Sequence, residues 1–172
     1  MSMDSMWVNI HDKDWKSKVI SEYHKKYEDL HGYLDVFCDC LHGFHDECSH
    51  QFRDHIGEHE DIIDRFVHCA SFKSWLQRAK KAIMPPLQKG RKPKIGCGCR
   101  SGRHRSVAGS RVLTHIVQKM GYSVADTPLH LARPFWRKSM CPGVCDECAQ
   151  GTYTSEKKMQ ALNYAKLVWD TL

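Results

Sequence analysis

The chain has 172 residues, of which 41% are hydrophobic and 27% are charged, a composition typical of one globular domain and not of a disordered chain. Its formal net charge of +6 favours phosphorylated or polyanionic partners. No stretch is long and apolar enough to span a membrane, and the first residues, MSMDSMWVNI, lack the basic flank and apolar run of a signal peptide. We therefore expect an intracellular, cytoplasmic protein.

Apolar residues recur at helical or strand spacing along most of the chain. The predicted elements are a helix over 12–30, a strand over 33–40, a helix over 61–84 ended by Pro85-Pro86, a strand over 94–99, a helix over 106–120 stopped by Gly121, a strand over 122–125 and a helix over 155–172. This alternation predicts an α/β fold, with a small parallel or mixed sheet flanked by helices and a Cys-rich loop near the C-terminus. We expect residues 1–32 to form a helical extension. Residues 33–172 are predicted to form one phosphate-binding domain that includes the Cys-rich loop at 130–151.

Basic residues concentrate in a few clusters of the chain. Two of them, Arg78–Lys81 and Lys89–Lys94, precede the strand over 94–99. Clusters of this kind attract polyanions such as RNA, although basic runs also serve only as a solvated surface. Both interpretations are open for these two clusters.

The most informative segment is the loop between the strand over 94–99 and the helix over 106–120, which reads Cys99-Arg100-Ser101-Gly102-Arg103-His104-Arg105-Ser106. A tight loop that leads into a helix points backbone N–H groups at one spot, where the helix N-terminus adds partial positive charge. Gly102 lets the backbone curl towards an anion, and Arg105 can donate paired hydrogen bonds to phosphate oxygens. Ser106 can cap the helix. The loop is therefore predicted to hold a phosphate group, with positive potential added by Arg100, Arg103 and His104.

Cys99 stands at the end of the strand, where cations and amide dipoles favour its thiolate form. A thiolate is a nucleophile, so the loop could bind a phosphate or cleave one off. The pattern C-x-x-G-x-x-R-S resembles the phosphate loop of cysteine-based protein tyrosine phosphatases. That resemblance implies Cys99 as the nucleophile and Arg105 as the group that stabilises the transition state. A phosphatase also needs a general acid, for which spacing offers Asp61, Asp64 and Asp126.

A second resemblance covers residues 33–133. The loop Gly98-Cys99-Arg100-Ser101-Gly102-Arg103-His104-Arg105-Ser106-Val107 is similar to G-C-x-x-G-x-H-R-S-V in the C-terminal domain of the RapZ family of RNase adaptor proteins. Upstream, Cys40-Leu41-His42-Gly43-Phe44-His45 matches that family's strand end and turn. Phe52–Gly57, Ile63 and Arg65–Val67 follow its L-R-x-x-T-G…V-x-x-F-V stretch, and His130 lies near the place of its H-R motif.

This resemblance implies binding of a phosphorylated sugar, with the phosphate in the 99–106 loop and His45 and His130 as further ligand contacts. We predict a binding or sensor domain for a phosphorylated small molecule, either a sugar phosphate or a nucleotide. Two alternatives stay open. One is a cysteine-dependent phosphatase, and the other is an adaptor that binds RNA or a partner protein.

Three further cysteines lie close together in the Cys-rich loop, in the run Cys141-Pro142-Gly143-Val144-Cys145-Asp146-Glu147-Cys148. Three thiolates at this spacing suit a structural zinc ion, although three free thiols in a surface loop are the simpler alternative. The spacing also occurs around the iron–sulfur cluster of radical SAM enzymes, which need a much larger barrel. We therefore predict zinc bound by Cys141, Cys145 and Cys148, with a fourth ligand from Cys48, His50, His130 or another loop histidine.

Overall fold

The computed structural model describes residues 34–44, 52–99, 102–124, 138–139, 141, 143–149 and 155–172. The elements in this part of the chain are β1 (Val36–Asp39), α1 (Glu60–His68), α2 (Phe72–Gln88), β2 (Ile95–Gly98), α3 (Arg105–Lys119), α4 (Asp146–Ala149) and α5 (Glu156–Asp170). The predicted helix over 12–30 and the predicted extension over 1–32 lie outside the described residues. The predicted fold class is confirmed, since helices surround a small parallel sheet and the cysteine cluster lies near the C-terminus.

The sheet of the described chain consists of β1 and β2, which run parallel with Val36 opposite Ile95 and Cys38 opposite Cys97. Beyond the paired residues, the amide of Cys40 donates to the carbonyl oxygen of Gly98 over 2.8 Å. Parallel strands present their carboxyl ends at the same edge of a sheet. The chain that follows β1 and the loop that follows β2 therefore start side by side.

An aromatic cluster divides the predicted helix over 61–84 into two helices. Cys69 is extended at the end of α1, and Phe66, Phe72 and Trp75 then meet across the turn at ring-centroid distances of 5.1 to 5.9 Å. Phe44 stacks on Phe66 at 4.5 Å. A single straight helix could not direct all of these rings into one core, and each large apolar side chain buried there contributes about 1.5–3 kcal/mol.

The prediction that Pro85 and Pro86 end the second helix is wrong, because α2 continues to Gln88. Each proline removes one N–H group from the helical ladder and crowds the carbonyl four residues earlier, but its fixed φ is compatible with a helix. Leu87 is buried in the core, and this burial holds the last turn in place. The chain turns away after the helix at Gly90, whose φ is +69° and whose amide donates to the carbonyl of Leu87.

Helices α1, α3 and α5 pack against one another, and α3 lies next to β2. The innermost residues of α3 and α5 are fully buried at Val112, Ile116, Leu162 and Ala165. Gly121 has a φ of +87° and stops α3 as predicted. The predicted strand over 122–125 is not formed by residues 122–124. The amide of Tyr122 instead donates to the carbonyl of Val117 and completes the end of α3.

Within the described ranges, no helix combines the length and the apolar character that crossing a bilayer requires.

Candidate functional site: the 99–106 loop beside a cysteine–histidine cluster

The two ends of the predicted phosphate loop come together in the structure. Sγ of Cys99 lies 3.2 Å from Oγ of Ser106 and donates to it, although seven positions separate the two residues. Gly102 has a φ of +60°, the left-handed conformation that favours glycine. The described part of the loop therefore doubles back, so that its first and last residues meet. Arg100 and Ser101 lie outside the described residues, as do His45 and His130.

Ser106 has a different role from the predicted one. Helix α3 begins at Arg105, so His104 is the N-cap residue and Ser106 lies in the first turn. The Ser106 hydroxyl contacts the Cys99 thiol instead of capping the helix. It thereby fixes the end of β2 against the start of α3.

Arg105 reaches back to the segment that follows β1. Its Nη1 donates to the carbonyl oxygen of Phe44 over 2.6 Å and to that of Leu41 over 3.3 Å. The guanidinium that was predicted to donate to phosphate oxygens thus donates to backbone carbonyl groups in this structure. Arg105 therefore holds the 41–44 segment beside the 99–106 loop.

Arg103 and His104 are largely buried, with 8% and 4% of their surface exposed. Nε2 of His104 lies 3.0 Å from the carbonyl oxygen of His55 and 3.1 Å from Nε of Arg103. A protonated Nε2 donates to the carbonyl oxygen, and an unprotonated Nε2 accepts from Arg103. The second half of the loop is thus packed against the interior, in contact with the segment around His55.

The candidate acids of a phosphatase lie on α1 or outside the described residues. The carboxylate of Asp61 forms an ion pair with Lys157 of α5, and that of Asp64 lies 3.1 Å from Nδ1 of His68. Asp126 is outside the described residues. Both described acids therefore have partners on the surface of the helical layer.

Cys141, Cys145 and Cys148 converge as predicted, and the fourth member of the cluster is His55. One ligand atom from each of the four residues lies within 4.8 Å of the others. Nδ1 of His55 is 3.5 Å from the sulfur of Cys145 and 3.5 Å from that of Cys148. Three thiolates and an imidazole could hold a metal ion in this arrangement.

Backbone amides shape the cluster around Cys141. The amides of Gly143 and Cys145 donate to its sulfur over 3.2 and 3.4 Å. Burial alone would raise the pKa of the Cys141 thiol, but these hydrogen bonds bring the pKa below its usual value. Burial raises the pKa of the Cys148 thiol, which lies deeper. Amide donors of this kind orient a sulfur ligand and stabilise its negative charge.

The sequence predicts a loop histidine as the fourth ligand but does not distinguish His55 from the other histidines of that loop. His55 lies 90 positions before Cys145, and several histidines of the same loop have similar surroundings in the sequence. The local structure at the start of α1 decides which of these histidines reaches the cluster. His59 caps α1 with its side chain, and its ring lies 4.6 Å from that of His55.

The remaining cysteines near the sheet serve the core. Cys38 and Cys40 are 5% and 0% exposed. Burial raises the pKa of Cys40, and a hydrogen bond with Cys97 together with burial raises that of Cys38. Both stay protonated at neutral pH and pack as small apolar side chains.

Comparison with known proteins finds no relative for this chain. No family model, no curated protein and no solved structure matches it.

Proposed function

We propose that this chain is a zinc-stabilised α/β domain that binds the phosphate group of a small molecule, a sugar phosphate or a nucleotide, in the loop over 99–106. The contact between Cys99 and Ser106 carries this proposal, because it closes the loop at the N-terminus of α3. The first amides of a helix have no partner within it and bind anions. The resemblance to the RapZ C-terminal domain supports a phosphorylated sugar as the ligand.

The cations of the loop have distinct roles in this proposal. Arg105 holds the 41–44 segment through Leu41 and Phe44, so that segment forms the wall of the site opposite α3. Arg103 supplies positive potential from the buried side of the loop, where it lies against the His104 ring. Positive charge in a site that is partly screened from water attracts a phosphate more strongly than the same charge on an open surface.

Zinc is the metal that best suits the cluster of His55, Cys141, Cys145 and Cys148. Soft sulfur ligands exclude magnesium and calcium, and a Cys3His set is typical of structural zinc with no open coordination position. When bound, zinc supplies a crosslink and no chemistry. The chain's own residues then join the Cys-rich loop to the segment before α1, where the amide of Cys141 donates to the carbonyl of Asp54.

Calorimetry on the zinc-loaded chain tests the proposed ligand class. A hexose phosphate should bind saturably, while the unphosphorylated hexose should not. Ser106→Ala, which removes the hydroxyl that closes the loop, should weaken binding, and Ser74→Ala on the exposed surface of α2 should leave it unchanged. If the zinc-loaded wild type binds neither compound, the proposal is wrong.

An assay of phosphate release from an aryl phosphate separates binding from turnover. The binding proposal expects no turnover beyond background. Turnover that disappears in Cys99→Ser would make the site that of a phosphatase, with the Cys99 thiolate as nucleophile.

A charged surface on α2 and on the residues that follow it, up to Lys94, favours RNA as a second candidate ligand. Residues 72–94 contain eight basic residues and no acidic residue, whereas the rest of the chain has fewer basic than acidic residues. Six of these cations are exposed and form no ion pair within the described ranges, namely Lys73, Arg78, Lys81, Lys89, Lys92 and Lys94. The surface extends along a 17-residue helix, about 25 Å at 1.5 Å per residue, which is long enough to contact several phosphates of an RNA helix.

The salt dependence of RNA affinity tests this second candidate. Replacing Lys89, Lys92 and Lys94 with glutamine should weaken RNA binding and reduce its dependence on salt concentration, since fewer counterions are then released. Lys157→Gln is the matched control, because that lysine already pairs with Asp61. RNA affinity that does not change in the triple variant would exclude this surface.

A further inference from the structure

We infer that residues Asp54–Gly57, the junction segment, position the phosphate loop, so that zinc binding and phosphate binding strengthen each other. This inference rests on the proposed function. His55 has two roles in it, since its imidazole belongs to the metal cluster and its carbonyl oxygen contacts the phosphate loop.

The cysteine cluster holds the junction segment from one side. Nδ1 of His55 lies 3.5 Å from the sulfur atoms of Cys145 and Cys148. The amide of Cys141 donates to the carbonyl oxygen of Asp54 over 2.9 Å. Both a side chain and the backbone of the junction segment are therefore fixed by the Cys-rich loop.

The phosphate loop contacts the junction segment from the other side. The amide of Gly57 donates to the carbonyl oxygen of Arg103 over 2.9 Å, and Nε2 of His104 lies 3.0 Å from the carbonyl oxygen of His55. These two bonds set the backbone position of the loop immediately before α3.

Gly57 shows how closely the backbone of the junction segment approaches the backbone at the start of α3. A Cβ atom at this position would collide with the carbonyl oxygen of His104 and the amide nitrogen of Ala108. Ile56, next to it, packs against Val107 and Cys148 in a small apolar cluster of its own. A shift of the junction segment would therefore displace the first turn of α3.

Two sites that share a rigid segment are coupled through it. A zinc ion that fixes His55 also fixes the carbonyl oxygen of His55, which contacts His104, and the amide of Gly57, which donates to Arg103. Phosphate binding then has to order less of the loop, so its entropic cost is smaller. Coupling free energies between sites correspond to affinity changes of about 5- to 150-fold, and the effect is reciprocal. Phosphate should therefore tighten zinc binding by the same factor by which zinc tightens phosphate binding.

Competition with a chromophoric chelator measures the zinc affinity of the full chain with and without inorganic phosphate. For the wild type, we expect millimolar phosphate to tighten zinc binding by at least about fivefold. Sodium chloride at equal ionic strength should have no such effect. A titration of the chelator and zinc without protein, in the same phosphate buffer, corrects for zinc bound by phosphate itself.

Two variants separate the junction from the metal ligands. Gly57→Ala keeps all four ligand side chains and should still bind one zinc, but its zinc affinity should no longer respond to phosphate. His104→Ala, which removes the contact with the carbonyl oxygen of His55 without crowding the backbone, should reduce the response as well. It serves as the second variant if Gly57→Ala fails to fold.

The outcomes distinguish this inference from the proposed function. If phosphate binds equally well to the zinc-loaded and zinc-free chain, the coupling is wrong and the phosphate site stands. If both variants keep the full response to phosphate, the junction segment is not the positioning element. If the zinc-loaded wild type binds no phosphate, the proposed function fails and the coupling fails with it.

Discussion

The carbonyl oxygen of His55 lies 3.0 Å from Nε2 of His104, so a residue of the cysteine cluster and a residue of the 99–106 loop are direct neighbours. The imidazole of His55 faces Cys145 and Cys148 on its other side. Two motifs that are distant in the sequence thus meet at one residue. The 99–106 loop and the cysteine cluster therefore form one contiguous region of the domain.

Zinc should be present at about one ion per chain, and Cys145→Ser should remove most of it, because a Cys3His site needs all four ligands. Elemental analysis after gel filtration measures the stoichiometry. Cys69→Ser is the matched control, because this cysteine lies outside the cluster, and it should keep the ion. A fully folded wild type that contains no metal and whose melting temperature does not respond to a chelator would contradict the zinc site.

Arg105→Ala should weaken phosphate binding by about 10- to 100-fold, because the 41–44 wall of the proposed site is then no longer held by charged hydrogen bonds, whose loss costs about 1.5–3 kcal/mol. The carbonyl groups of Leu41 and Phe44 also lose their donor, so the melting temperature should fall. Calorimetric titration with a hexose phosphate and thermal unfolding measure the two effects. Arg78→Ala, on the exposed surface of α2, should change neither of them, and an equal loss of affinity in that variant would remove the special role of Arg105.

Lys158→Ala should destabilise the domain by about 2–4 kcal/mol, because breaking a buried ion pair leaves its partner without compensation. Lys158 is 1% exposed, and its Nζ donates to the carbonyl oxygen and the carboxylate of Glu58 over 2.8 and 3.0 Å. Arg111 lies 3.6 Å from the same carboxylate and partly compensates its charge. The loss of stability should therefore stay below the largest values for a broken buried ion pair. Denaturant titration measures the loss. Lys166→Ala, which breaks an exposed pair with Asp170, should cost less than about 1 kcal/mol. Equal losses in both variants would refute the prediction.

Acid should destabilise the domain partly through His115 on α3. Burial lowers the pKa of this histidine, and nearby cations lower it further. A hydrogen bond with Asn163 raises the pKa but does not cancel these two effects. The unfolded chain then binds a proton more readily than the folded chain. Stability should therefore fall as the pH drops from about 6.5, the ordinary pKa of a histidine side chain, through the lower pKa of His115 in the folded chain.

His115→Gln removes this titration while it keeps a donor for Asn163. The free energy of unfolding of this variant should fall less than that of the wild type between neutral and mildly acidic pH. His68→Gln, a change at a more exposed histidine, is the matched control. Parallel pH curves for the wild type and His115→Gln would contradict the assignment.

Local sequence patterns account for much of this fold. Helices α3 and α5 begin and end within two residues of their predicted limits, because their apolar periodicity and their stop signals agree. The division between α1 and α2 depends on how Phe44, Phe66 and Trp75 meet in the core. Periodicity within one segment carries no such information, so the division was not predictable from the sequence.

The candidate site was predictable in its motifs but not in its long-range partners. The spacing of Cys141, Cys145 and Cys148 predicts their convergence, since these residues are close in the chain. The selection of His55 and the contact of Arg105 with the 41–44 segment depend on the packing of α1 and β1 around the loop. Both contacts join segments dozens of residues apart, and spacing alone cannot specify them.

The most direct test of the central claim is to follow the backbone amide NMR signals of the zinc-loaded chain during titration with inorganic phosphate. We expect saturable shifts of the amides of Gly102 to Val107, with smaller shifts at His55 and Gly57. No saturable shift at those amides at millimolar phosphate, or shifts confined to Lys89–Lys94, would contradict a phosphate site at the start of α3.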